Sequence, residues 1–209
     1  MPTALNSLIE AALPYYWNPS LTYHNWDHID DVVRAHTELW GSPESAVLLA
    51  MVYHDCVYVP GAEAGVNEEL SALTFLREFN RLRPTWSDLS VASGFVCELI
   101  LATRVSNHVS PDYLPRTQSE ARVLDCDLAG FGLPFPEFVA RQDRVLIEFE
   151  GPNADLNALR SKAAKFLQQF VFPERVSIYH TFEARKAWEK QAVDNIHTYC
   201  HRWLNATTP

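Results

Sequence analysis

The chain has 209 residues, 47% of them hydrophobic and 21% charged, which suffices for one sizeable core and leaves little for a second domain. Seventeen Lys and Arg against 26 Asp and Glu give a net charge of −9, which repels phosphate backbones and acidic lipid and argues against general nucleic-acid binding. With 7 Gly, 13 Pro and no fixed-period repeat or biased tract, the collagen, coiled-coil and disordered classes are excluded.

Apolar residues recur at helical spacing from end to end and no stretch sustains the alternation of a half-buried strand, so the fold reads as all-α. In chain order the predicted helices span 3–13, 26–40, 44–58, 66–81, 87–103, 119–129, 135–149, 154–171 and 174–204, the last with a break near His180. Most boundaries fall at punctuation such as Gly41-Ser42-Pro43, Pro60-Gly61, Arg83-Pro84-Thr85, Gly151-Pro152 and Phe172-Pro173. The stretch to Leu13 lacks the basic start and apolar run of an export signal. The longest apolar run, Ala46 to Tyr53, is far below the roughly 20 residues of a membrane span. Cys56, Cys97, Cys126 and Cys200 form no CxxC pair and read as reduced thiols, so the expected setting is cytoplasmic with no membrane partner.

Two apolar stripes mark expected buried faces: Val66, Leu70, Leu73 and Leu76 on one helix, and Trp188, Ala192, Ile196, Tyr199 and Trp203 on the last. The stretch from Ser106 to Ser119, with two prolines and little periodicity, reads as a surface loop able to cover a site. Trp17, Trp40 and Trp86 fit either the core or the face of a homo-oligomer.

Three segments carry chemistry. Val47 to Val59 is apolar nearly all round except for His54 and Asp55, and a carboxylate taken out of water is costly unless it is paired or binds a metal. With 8 His in the chain, chance gives roughly 0.4 adjacent His-Asp pairs, so the dipeptide alone also fits a satisfied buried ion pair. In Tyr23-His24-Asn25-Trp26-Asp27-His28-Ile29, a helix entered near Asn25 directs His28 inward alongside Ile29 and Val32. Val123 to Ala129 embeds Asp125 and Asp127 in an apolar helical run. Histidine and aspartate converging inside apolar surroundings are what a divalent ion requires.

The order His28, then His54-Asp55, then Asp127 resembles the HD-domain superfamily. The tyrosine-led YHNxxHI, the apolar run into HD, the segment Asn67-Glu68-Glu69-Leu70-Ser71-Ala72, Ala102-Thr103 followed by His108, and LDxDLAxxG together look like its bacterial group of predicted metal-dependent phosphohydrolases. The resemblance runs from about Tyr23 to Gly132 and continues weakly through Arg175, Ile178-Tyr179 and Trp188-Glu189.

It implies an HD-type helical bundle of roughly nine helices over 1–209, with core motifs at about 23–132 and the helices of 135–204 packed on them. It implies one divalent transition metal (Mn, Fe, Co, Ni or Zn, with Mg possible) on His28, His54, Asp55 and Asp127. Asp127 is chosen because it directly precedes the Leu-Ala pair, which leaves Asp125 as a capping or core-satisfying group.

The expected activity is hydrolysis of a phosphoester of a small, nucleotide-like molecule through a metal-activated water. Asp55, Glu68 and His108 are the expected catalytic residues; His24 and Arg104 are expected to bind substrate. Each has a plainer reading. Glu68 and Glu69 suit a helix N-terminus, His24 suits a helix entry, and His108 suits an exposed loop. Two other activities fit the same residues: a diiron oxygenase with Glu68 and His108 as added donors, and a non-catalytic ligand-binding protein tied together by a metal.

Overall fold

The computed structural model describes residues 3–83, 90–171 and 176–204. Among them every regular element is helical: α1 (Ala4–Ala12), α2 (Trp26–Trp40), α3 (Ser45–Tyr53), α4 (Val66–Leu82), α5 (Ser93–Ala102), α6 (Val105–Val109), α7 (Gln118–Asp127), α8 (Phe135–Glu150), α9 (Leu156–Leu167), α10 (Phe182–Ala184) and α11 (Lys190–Leu204). A π-helical turn, Arg185–Glu189, joins the last two into one rod. The helices expected over 26–40, 66–81 and 135–149 lie within one residue of those bounds. No described helix is long and apolar enough to cross a membrane. The expected starts at 87 and 174, and Trp86 and Arg175, lie outside the described residues.

Helix starts follow local chemistry. Asn25, Thr117, Asp155 and Thr181 each accept a backbone N–H from the first turn of α2, α7, α9 and α10. Gly41, at φ +80°, ends α2 in a backbone region that a side chain would strain. Of the segment expected to be helical from 174, residues 176–181 are non-helical, because the N–H groups of Ile178 and Tyr179 bond to Glu189 and those of His180 and Thr181 bond to Asp125.

Helix α3 is apolar all round and accordingly buried all round, with Val47, Leu49, Ala50, Met51, Val52 and Tyr53 at 3% exposure or less. It is the axis of a first core, packed by α1, α2, α4, α5 and α7. Phe138, Leu167, Ile178, Tyr179, Ile196 and Tyr199 centre a second core among α8, α9 and α11. Trp40 and Trp188 pack against both. The C-terminal stripe is buried from Ala192 to Trp203, with Trp188 half-buried, but the α4 stripe is not: Leu70 and Leu73 are 38% and 61% exposed. The inward face of α4 is instead Ser71, Ala72, Phe75 and Phe79, because Phe75 packs edge-on against Tyr53 and Phe79 packs against Phe75. Trp17 is 70% exposed and Trp40 half-buried. The four cysteines are unpaired.

Candidate metal centre

Asn25 Oδ1 accepts the Asp27 N–H at 3.0 Å, which starts α2 and places His28, Ile29, Val32, Ala35 and His36 on its buried face. Helix α3 stops at Tyr53, short of the expected end at 58, so Asp55 and Cys56 sit in a turn. The cause lies on α4. Ser71 Oγ accepts the Val57 N–H at 3.1 Å and Asn67 Oδ1 accepts that of Val59 at 3.0 Å, capturing donors that would have continued the helix. The Asn67 and Ser71 of the sequence motif thereby present Asp55 at the mouth of α3. Asp127 is the last residue of α7, the helix started by Thr117.

These elements bring His28, His54, Asp55 and Asp127 together, with one donor atom from each lying within 4.8 Å of all the others. His54 Nε2 stands 2.9 Å from Asp55 Oδ2 and 3.4 Å from Asp127 Oδ1, and His28 Nε2 stands 3.4 Å from each carboxylate. Donors sharing one ion at about 2.1 Å stand roughly 3.0 to 3.4 Å apart, so the spacing fits a cation. The Nε2 atoms of His28 and His54 are buried without a hydrogen-bond partner. His54 Nδ1 donates to the Met51 carbonyl at 2.8 Å, which turns the lone pair of Nε2 toward the group. Mixed imidazole and carboxylate donors suit Mn, Fe, Co, Ni or Zn.

Burial pushes both aspartates up, yet the neighbouring imidazoles outweigh it and hold Asp55 and Asp127 well below the usual carboxylate range. Burial pushes the imidazoles down, yet the same carboxylates hold His28 above its ordinary value and His54 well above it. Two half-buried carboxylates packed against buried imidazoles thus demand positive charge, as protons on the histidines or as a cation that replaces them.

Both carboxylates have a further histidine beside them. His108 Nε2 lies 2.9 Å from Asp127 Oδ2. This buried histidine stands on α6, inside the stretch expected to be an exposed loop, where the Arg104 carbonyl accepts the Asn107 and His108 N–H groups and closes a helical turn. His24 Nε2 lies 4.0 Å from Asp55 Oδ2, its Nδ1 donates to Glu148, and its ring stacks on Tyr58 at 3.6 Å. Glu68 is buried, its carboxyl pushed up by burial and by the charges of Asp55 and Asp127. Arg104, expected at substrate, pairs with Glu69 at 2.7 Å on the rim and packs over Gly65. Neither Glu68 nor His108 belongs to the converging donor group among the described residues. Asp125 points the other way and accepts the N–H groups of His180 and Thr181 and the Thr181 hydroxyl at 2.6 to 2.8 Å, the capping role expected of it.

Sequence reasoning missed Glu148, Tyr23 and Arg141. Glu148 is buried on α8 and accepts the Tyr23 and His24 N–H groups at 2.8 and 3.0 Å, fixing the turn into α2. The signal that exposed His54-Asp55 was present there too, since Val145 to Phe149 is apolar but for this carboxylate. Tyr23 packs its ring 4.8 Å from His28. No protein-family model matches the chain, and no curated protein matches it.

Proposed function

We propose that this chain is a metal-dependent phosphohydrolase of the HD superfamily, cleaving a phosphoester of a small, nucleotide-like molecule. One observation carries the reading: two buried imidazole nitrogens without partners converge with two carboxylates on a point a divalent cation fits. An ion bound there lowers the pKa of a water and offsets charge on a phosphoryl oxygen. The protein's own part is to orient the donors and handle protons. The Met51 carbonyl sets the His54 ring, His108 holds the Oδ2 of Asp127 so that Oδ1 faces the histidines, and Glu148 aims His24 at Asp55. Glu68, raised by burial beside two carboxylates, holds a proton more readily than an exposed glutamate and is assigned to proton transfer. A net charge of −9 disfavours a long polyanion and favours a single small phosphorylated substrate.

A panel of nucleotides and simple phosphoesters, supplied in turn with Mn, Co, Ni, Fe, Mg and Zn and read by released phosphate, tests this. Turnover of at least one ester is expected, with a loss of at least about a thousandfold in Asp55→Ala. A wild-type chain that binds metal and cleaves no ester with any of them overturns the reading.

A further inference from the structure

A pocket opens on the side of the centre formed by His28 and Asp127, and its wall carries Tyr23, Arg141, Gly130 and Trp188. Arg141 reaches it from α8. Its guanidinium is held against the wall by an ion pair with Asp31 of α2, and it and the Tyr23 hydroxyl both lie beside Gly130. Five N–H donors in a planar fork exceed what the Asp31 carboxylate takes. Gly130 packs against this side chain: a Cβ there would stand at ordinary contact distance, 3.4 Å from the Arg141 Cδ and 3.9 Å from the Tyr23 hydroxyl. Trp188 closes the pocket from the π-helical turn, pressed so near Gly132 that a Cβ there would lie 2.6 Å from its own. Arg34, Asp31 and Glu38 also line the pocket; Arg34 and Arg141 both pair with Asp31, so the arginines balance the two outer carboxylates. The rim residue Arg104 pairs with Glu69 and is not among the lining residues.

We propose that Arg141 and Tyr23 form the phosphate-binding wall of this pocket. The guanidinium fork donates to two oxygens of a phosphate, and the Tyr23 hydroxyl donates to a third. The anion is thereby held on the His28 and Asp127 side of the centre, and the ligand class is a terminal phosphate on a small molecule. This rests on the phosphohydrolase reading for the identity of the substrate, but the anion site has its own test.

Inorganic phosphate titrated calorimetrically into the full chain in Mn²⁺ should bind, with affinity weakened at least about tenfold in Arg141→Ala and about threefold or more in Tyr23→Phe. Tyr23→Phe removes only a hydroxyl, so it keeps the test decisive if Arg141→Ala, which loses the link to Asp31, fails to fold. Wild-type protein that binds no phosphate, or variants that bind within twofold of it, overturn the assignment, as does a loss confined to Arg104→Ala. Ester cleavage is measured separately. Phosphate held through Arg141 by a chain that cleaves nothing supports the anion site and removes the hydrolase; cleavage indifferent to both variants does the reverse.

Discussion

Two aspartates two residues apart on α7 serve opposite ends of the molecule. A helix turns about 200° over two residues, so Asp125 faces the C-terminal segment while Asp127 faces the histidines. Asp125→Ala should lower stability by about 2 to 4 kcal/mol in urea denaturation, because several donors lose a buried acceptor, and it should leave metal affinity within a few-fold. His108→Ala should show the converse pattern: metal affinity, read by equilibrium dialysis, should fall about 10- to 100-fold as Asp127 loses the partner that orients it. His28, His54, Asp55 and Asp127, the group that could hold a metal ion, were legible because polar residues inside apolar runs stand out in a sequence and because the motif resemblance singles out Asp127 over Asp125. Arg141 was not, since its meaning depends on Asp31 and Tyr23, more than a hundred positions away along the chain.

At the scale of the element, α4 shows where helical periodicity misleads. Its leucines repeat at the right spacing, yet the face that packs is the one whose Phe75 meets Tyr53 and Phe79 and whose Ser71 and Asn67 hold the turn after α3. Phe75→Ala should cost about 3 to 5 kcal/mol and Leu73→Ala no more than about 0.5, both from chemical denaturation. The same helix is tied to the segment after α1 through Glu78, which accepts from Tyr15 at 3.0 Å, Arg77 at 3.1 Å and Arg81 at 2.7 Å. Burial pushes this carboxyl up, but its donors win and hold it below its ordinary value of 4.5. A folded pKa below the unfolded one stabilises fully above the unfolded value and loses that stability as pH falls through the folded value. The melting temperature of Glu78→Gln should therefore lie below wild type at pH 7, with the gap closing in acid below the ordinary glutamate pKa. A gap that is unchanged at low pH would remove the carboxylate's charge as the cause.

Across the whole molecule, two apolar cores are coupled by Trp40 and Trp188, by the Asp125 link to Thr181, and by Glu148 on the turn into α2. Circular dichroism and tryptophan fluorescence should accordingly report one coincident thermal transition. The centre draws on α2, the end of α3 and α7, so a bound ion stabilises the native state by mass action: chelation should lower the melting temperature, and metal should restore it.

The all-α class, the bounds of α2, α4 and α8 and most of the C-terminal stripe follow from short-range patterns, because burial writes a 3.6-residue period; the converging group of His28, His54, Asp55 and Asp127 is named through the resemblance of its motifs. Where α3 stops, which face of α4 turns inward, the burial of His108 and the clustering of Glu148 and Arg141 beside the centre belong to the folded arrangement. Each depends on a group brought from a distant segment, an aromatic ring for the face of α4 and a donor or acceptor for the rest, and a contact of that kind leaves no trace in the local spacing of residues.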